Sequence, residues 1–124
     1  MDIDPAQDSL TNLVVGAAFE VSNVLGHGFL EVIYRRALVK ELRLRGVDVQ
    51  EEVRLPVSYK GDEIGVYQAD LVVADCVVVE LKAVEKLAQA HVGQVLNYLR
   101  ASGLRVGMLL NFGQPKVEFR RVLL

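Results

Sequence analysis

Three ionisable residues near the middle of the chain are spaced so that they could act together. Asp70 precedes one short apolar run, and Glu80 lies near the end of the next, two residues before Lys82. A turn centred on Asp75 would join the two runs as a β-hairpin and set Asp70 opposite Glu80. Because side chains alternate between the faces of a strand, Glu80 and Lys82 share one face. The predicted register pairs Leu71 with Val79, Val72 with Val78, and Val73 with Val77.

Two facing carboxylates destabilise a hairpin unless another charge offsets their repulsion. Here they would lie at the end of a valine-rich strand that is typical of a strand buried on both faces. Lys82 supplies one cation for two anions, and a divalent metal held by oxygen ligands would supply the rest. The alternative is a solvated salt bridge of Asp70, Glu80 and Lys82 where the strands leave the core. The hairpin by itself leaves both interpretations open.

Three helices flank these strands in the sequence. Apolar residues at three- and four-residue spacing predict a first helix that is capped by Asp8 or Ser9 and ends at Leu25. The same pattern predicts helices over residues 30–45 and 86–102. A glycine follows each of the three, as is common where helices end.

The remaining segments favour β-strands. Besides the central hairpin, strands are predicted over residues 47–53, 55–59, 64–67, 105–111 and 117–122, with the last at an edge. A helix that falls between two neighbouring strands indicates a crossover connection. The sequence therefore predicts an α/β fold, with a mixed β-sheet and helices on both faces.

Composition limits the classes of function. The 124 residues suit one domain, 1–124, and a net charge of −2 argues mildly against non-specific nucleic-acid binding. No stretch approaches the roughly 20 apolar residues of a membrane span, so no membrane association is expected. The acidic N-terminus lacks the basic start of a signal peptide, and the single cysteine, Cys76, excludes an internal disulfide. A cytoplasmic location is expected.

Motifs along nearly the whole chain resemble one known family. Residues 28–34, Gly-Phe-Leu-Glu-Val-Ile-Tyr, reproduce the motif that names the GxxExxY proteins, which belong to the PD-(D/E)XK nuclease-like superfamily. Further similar blocks contain Asp70, the Glu80-x-Lys82 pair and residues 91–99. An isolated Glu-x-Lys is weak evidence. The occurrence of Glu31, Asp70, Glu80-x-Lys82 and Gln94-x-x-x-Tyr98 in this order along the chain is more specific. The resemblance implies a restriction-endonuclease-like fold.

The resemblance also implies roles for the acidic residues and the lysine. Asp70 and Glu80 would bind the metal, with the Leu81 backbone carbonyl as a further ligand. Lys82 would position or activate the attacking water and stabilise the developing charge. Glu31 would complete the metal site directly or through water. Hard oxygen ligands of this kind favour Mg²⁺ or Mn²⁺ over Zn²⁺.

Three other residues are candidates for positioning or substrate contact. Gln94 and Tyr98 lie one helical turn apart and resemble a Gln-x-x-x-Tyr motif of the RecB-like branch, which places a polar helix face beside the active site. They could hydrogen-bond Lys82 or the substrate backbone, or simply form the polar edge of a core helix. Tyr34 shares a helical face with Glu31, three residues before it.

Three functions follow as hypotheses. The first is a Mg²⁺-dependent nuclease that hydrolyses phosphodiester bonds of DNA or RNA, since a bound ion can polarise a phosphate and acidify water. The second is a catalytically inert module of nuclease fold that binds nucleic acid or protein. The third is a structural subunit whose last strand, residues 117–122, pairs with a second copy to form a homodimer.

Overall fold

A computed structural model describes residues 3–124 of the chain. The first two residues of the acidic N-terminal segment lie outside this range. The described residues form three helices, α1 (Pro5–Leu25), α2 (Glu31–Leu44) and α3 (Gln89–Ser102). They also form five strands, β1 (Val49–Tyr59), β2 (Asp62–Val73), β3 (Val77–Lys82), β4 (Val106–Asn111) and β5 (Glu118–Leu123).

The strands form one mixed sheet in the order β1-β2-β3-β4-β5. β3 and β4 are parallel, and the other neighbours are antiparallel. Parallel neighbours need a long crossover connection, which α3 provides between β3 and β4. The predicted mixed sheet is confirmed. The predicted hairpin register is also confirmed, since Leu71, Val72 and Val73 pair with Val79, Val78 and Val77.

Each face of the sheet carries its own apolar core, which confirms that helices cover both sides. The face covered by α1 and α2, here called the α1–α2 face, includes buried Leu71, Val79, Leu81 and Met108. The face covered by α3, the α3 face, includes Val72, Val78, Leu99 and Leu109. Neighbouring residues of one strand therefore enter different cores, as alternation requires.

The predicted start of the first helix was wrong. α1 begins at Pro5, not after Asp8 or Ser9, and Asp4 is its N-cap. The Asp4 carboxylate accepts a hydrogen bond of 2.8 Å from the Ala6 backbone N–H. Proline suits the first helical position because its missing N–H would have no intrahelical partner there. An acidic cap followed by proline was therefore the stronger start signal.

Two long strands replace the four short segments predicted before residue 74. β1 runs through Pro56, which an edge strand tolerates because the missing N–H need not join a ladder. The two strands pair along almost their whole length, from Val49 with Val73 to Tyr59 with Asp62. Only the last three residues of β2 pair with β3. The rest of the β1–β2 hairpin therefore extends beyond the central sheet as an arm.

This hairpin exchanges its two faces halfway along. Val49 packs on the α1–α2 face, whereas Leu55, an even number of residues later, packs on the α3 face. β2 shows the same exchange between Leu71 and Ala69. Glu52 lies between the exchanged positions of β1 and has a φ of 52°. Such a backbone breaks strict alternation, and Asp70 occupies the matching position of β2.

The outer strands agree with the predicted edge. β5 pairs with β4 alone in the sheet order of the described residues, which confirms an edge strand close to the predicted range. Its pairing with a second copy of the chain stays a prediction. No helix within residues 3–124 combines the length and the apolar character that crossing a membrane would require.

Candidate active site

The β2–β3 ladder ends where Asp70 and Glu80 begin to face each other. The outermost backbone pair of this ladder is Leu71 with Val79, and beyond it the backbone N–H groups bond to carboxylates instead. The Asp70 N–H donates to Glu80 Oε1 at 3.1 Å, and the Leu81 N–H donates to Asp70 Oδ2 at 2.9 Å. These reciprocal bonds satisfy N–H groups that the separating strands would leave unpaired. They also hold both carboxylates in one place.

Lys82 lies beside Glu80, two residues further along β3. Its Nζ lies 3.7 Å from Glu80 Oε2, and Glu80 is only 4% exposed. Alternation along β3 puts Glu80 and Lys82 on the α3 face with Val78. The structure therefore brings together the three residues that the hairpin pattern singled out. The solvated salt bridge considered above does not describe a glutamate that is almost fully buried.

The buried carboxylate of Glu80 is electrostatically strained. Desolvation, followed by the charge of Asp70, raises the pKa of Glu80 to about 8. The Asp70 backbone N–H and the Lys82 ammonium oppose this rise without cancelling it. Glu80 therefore binds a proton near neutral pH, when no other cation is close. A side-chain hydrogen bond with Asp70 adds to this preference for the protonated form.

Glu31, in the first turn of α2, interacts by charge with Asp70 and Lys82. Partial burial and the charge of Asp70 raise the pKa of Glu31, while Lys82 and Arg35 lower it. Within residues 3–124 no group of three or more acidic, histidine or cysteine side chains is arranged to hold a metal ion. Glu31 thus lies close enough to interact with Asp70 and Lys82 by charge, without forming a three-acid cluster with Asp70 and Glu80.

Gln94 and Tyr98 cover the site from α3. Gln94 Nε2 donates to the Tyr98 hydroxyl oxygen at 2.7 Å. Burial and the nearby Glu80 charge raise the pKa of Tyr98 to about 12. The hydroxyl therefore keeps its proton, and because its oxygen accepts from Gln94, that proton is directed elsewhere. The pair lies beside the carboxylates.

Tyr34, in contrast, is a core residue. It is 1% exposed, and its ring stacks on Phe112 at 4.7 Å between centroids. Its hydroxyl donates to the Gly26 carbonyl at 2.7 Å and accepts from the Phe29 N–H at 3.2 Å. These contacts explain the presence of a tyrosine at position 34 by its packing in the core, and its side chain does not face the site. The residue fixes the turn that leads into Glu31.

Sequence reasoning missed a buried polar pair that supports the segment after Lys82. Asn111 is fully buried; its Oδ1 accepts from the Val84 N–H at 3.0 Å and its Nδ2 donates to the Val84 carbonyl at 2.9 Å. Glu118 accepts from Asn111 and from the Leu87 N–H, each at 3.2 Å. A lone asparagine within an apolar strand was the available signal, because a buried amide requires partners.

The donor set fits a hard divalent cation. Asp70 and Glu80 use one oxygen each for the backbone N–H bonds described above, so a second oxygen of each can face an ion. The charge of two carboxylates and one ammonium group is also short of balance by one positive charge. Oxygen donors of this kind suit Mg²⁺ or Mn²⁺. Burial, and after it the charge of Asp70, raises the pKa of Glu80, and a cation bound beside the pair would oppose both effects.

Comparisons with known proteins agree with the fold. The family model of the PD-(D/E)XK nuclease superfamily matches residues 8–122. No curated protein matches the chain. The crystal structure of SSO0001 is similar in fold, with a TM-score of 0.58 and 19% sequence identity. The match covers 94% of this chain and 58% of SSO0001, so the chain spans little more than half of that protein.

Proposed function

The chain belongs to the PD-(D/E)XK nuclease superfamily, and on that basis we propose that it hydrolyses phosphodiester bonds of nucleic acid with Asp70, Glu80 and Lys82. The observation that carries this proposal is the end of the β2–β3 ladder. Two carboxylates are held there by reciprocal hydrogen bonds from backbone N–H groups. One of them, Glu80, lies 3.7 Å from the ammonium nitrogen of Lys82. A solvated hairpin end would not need this arrangement.

In the proposed site, Asp70 and Glu80 hold a divalent cation, with the Leu81 carbonyl as a further donor. When bound, Mg²⁺ or Mn²⁺ would stabilise the charge on the phosphate oxygens and lower the pKa of a coordinated water. Lys82 contributes a second positive charge beside Glu80 and can donate to a phosphate oxygen or orient the attacking water. Glu31, whose pKa is raised by burial and by the charge of Asp70, would be available to accept a proton from the attacking water.

Gln94 and Tyr98 position the substrate in this proposal. Because Gln94 donates to the Tyr98 oxygen, the hydroxyl proton is free to be donated to a phosphate oxygen. The pKa of about 12 keeps Tyr98 neutral at any physiological pH. A neutral donor avoids adding a third negative charge next to Asp70 and Glu80.

Replacing Lys82 with methionine is expected to lower the cleavage rate about 100- to 1,000-fold, because a preorganised donor to the reacting phosphate is lost. Cleavage of labelled single- and double-stranded DNA and RNA, with Mg²⁺ or Mn²⁺, measures the effect. Lys116→Met is the matched control, since Lys116 lies over the Phe19 ring of α1, on the other side of the sheet. A Lys82→Met variant that cleaves at the wild-type rate would contradict the proposal.

Magnesium is expected to raise the thermal stability of the protein only while the acid pair is intact. An ion that binds the folded state alone stabilises it by about 3 kcal/mol at a concentration 100 times its Kd. Asp70→Asn should abolish this gain, whereas Asp62→Asn, at the exposed hairpin tip, should retain it. Differential scanning calorimetry with and without Mg²⁺ makes the comparison. An equal gain in all three proteins would place the ion elsewhere.

A second candidate is the inert module of nuclease fold. The contacts of the acid pair favour it to some extent, because each carboxylate already accepts a backbone N–H and Glu80 binds a proton near neutral pH. Such a module would bind nucleic acid in EDTA, would not cleave it with either metal, and would bind equally well after Lys82→Met.

A further inference from the structure

A groove adjoins the candidate active site on the α3 face. It lies between the extended arm of the β1–β2 hairpin and the outer part of α3, and its volume is about 530 Å³. Its lining includes Pro56, Ser58, Tyr67, Asn97 and Arg100. Among the described residues that line it there is one arginine and no acid. This contrasts with the net charge of −2 of the chain.

Two tyrosine residues lie between the groove and the acid pair. The centroid of the Tyr67 ring lies 5.3 Å from that of Tyr98, with the rings inclined at 57°. Tyr98 is in turn close enough to Glu80 to respond to its charge. A strand of nucleic acid that extends from Asp70 and Glu80 towards the groove would therefore meet Tyr67, which is 40% exposed, whereas Tyr98 is buried.

We propose that this groove binds single-stranded nucleic acid next to the cleaved phosphate, with a base against the ring of Tyr67 and a phosphate at the guanidinium of Arg100. The proposal rests on the function proposed above, because it assigns the substrate class of the same site. It adds a binding site for the flanking nucleotide and a preference for unpaired strands.

The two named side chains have the properties that such binding needs. Tyr67 is 40% exposed, although Tyr98 contacts its ring, so part of the aromatic surface is open. Arg100 is exposed, and its guanidinium donates to Asn97 Oδ1 at 3.0 Å, which limits its orientation. Aromatic rings and arginine are the usual partners of unstacked bases and phosphates.

The choice of single strands follows from the stacking. In a duplex each base is covered by its neighbours, so its face cannot contact a side chain unless the base is first unstacked. A protein that stacks a base on Tyr67 therefore favours strands whose bases are already open. Duplex ends that fray would bind more weakly than single strands, and continuous duplex more weakly still.

The basic side of α2 is a poorer candidate for this role. Arg35 pairs with Glu52 at 2.9 Å, and Arg45 pairs with Glu41 at 2.8 Å. Arg43 donates to the Val49 carbonyl at 3.1 Å. Arg36 and Lys40 are exposed, but the groove that they line contains Glu51 and no aromatic residue, so it offers no ring for a base. Arg100, in contrast, is paired with a neutral amide beside Tyr67.

Fluorescence anisotropy with labelled oligothymidylate, oligouridylate and a blunt DNA hairpin tests the proposal. Working in EDTA separates binding from cleavage. We expect Tyr67→Leu to weaken single-strand binding about tenfold and Tyr67→Phe to keep it, because stacking needs only the ring. Arg100→Gln should also weaken binding and reduce its salt dependence by about one phosphate contact. A 2-aminopurine probe, whose emission falls on stacking, should respond to wild type and not to Tyr67→Leu.

Matched controls lie on the opposite face of the protein. Phe119 is 46% exposed and contacts Phe19 of α1. Phe119→Leu therefore removes an equally exposed ring away from the groove. Lys116→Gln removes a cation in the same region. Neither control should change binding. Circular dichroism of all the variants shows whether they are folded.

The outcomes separate this inference from the proposed function. In one outcome, the protein shows metal-dependent cleavage that needs Lys82, while Tyr67→Leu and Arg100→Gln leave binding unchanged. This result would reject the groove as a binding site and retain the proposed nuclease function. Tyr67-dependent single-strand binding without any cleavage would support the groove and reject the nuclease. Equal affinity for the blunt hairpin and for single strands would also overturn the groove.

Discussion

Replacing Glu80 with glutamine is expected to abolish cleavage while making the metal-free protein more stable. Loss of a carboxylate that binds the metal removes several kcal/mol of transition-state stabilisation, or about 1,000-fold in rate. The gain in stability has a separate cause. A neutral amide needs no proton and no cation, and it can still accept from the Asp70 N–H while donating to the Asp70 carboxylate.

The pH dependence of this gain follows from the direction of the pKa shift. Glu80 changes from an ordinary pKa of 4.5 to about 8 on folding, so the folded protein binds the proton more tightly than the unfolded chain. Stability is then complete below pH 4.5 and falls as the pH rises from 4.5 to 8. Glu80→Gln lacks this loss. The free energy of unfolding of the variant should equal that of wild type near the lower end of this range. Near neutral pH it should exceed the wild-type value by about 2–3 kcal/mol.

Urea unfolding in EDTA across this pH range measures the difference. Glu63→Gln is the control, because Glu63 is exposed and forms only a 3.7 Å surface pair with Arg54; such pairs contribute little. Excess Mg²⁺ should reverse the order by stabilising wild type alone. A Glu80→Gln protein that is less stable than wild type at neutral pH would show that the carboxylate is not strained.

Gly113→Ala is expected to destabilise the protein by about 3 kcal/mol and to lower its melting temperature by about 10 °C. A Cβ at this position would collide with the backbone oxygen, nitrogen and carbonyl carbon of Val84. Backbone atoms cannot move aside as a side chain can. The Gly113 N–H also donates to Asn111 Oδ1 at 3.0 Å. The collision would therefore disturb the Asn111 hydrogen bonds that hold the segment after Lys82. Cleavage should fall together with stability.

Two other glycines provide matched controls for thermal unfolding. At Gly93, inside α3, an added Cβ meets no atom within 4 Å, and alanine should stabilise the helix by about 0.5–1 kcal/mol. At Gly107 the nearest atom is a methyl of Val95, a fully buried β-branched side chain with little freedom, so alanine should be destabilising there too, but less than at Gly113, where the collision is with backbone. Equal melting temperatures for Gly113→Ala and wild type would mean that the turn rearranges freely.

The hairpin shows why part of the site could be predicted. Register in a short hairpin depends on turn length and on the apolar pattern, which are local properties. Residues 71–79 therefore revealed that Asp70 and Glu80 meet, and the two-residue spacing to Lys82 placed the lysine on the same face. The helix spacing of Gln94 and Tyr98 is local in the same sense. The merged strands β1 and β2 escaped prediction because the polar residues near 54 and 68 resemble interruptions.

The sequence by itself determined the three helices, the register of the central hairpin and the meeting of the two acids, because each depends on neighbours a few residues away. Only the tertiary structure decided which side chains face the site. The face exchange at Glu52 and Asp70 brings Tyr67 to α3, while the stacking on Phe112 takes Tyr34 into the core. Such outcomes depend on contacts between segments distant in sequence. A periodic pattern carries no information about where a strand twists or which distant ring fills a cavity.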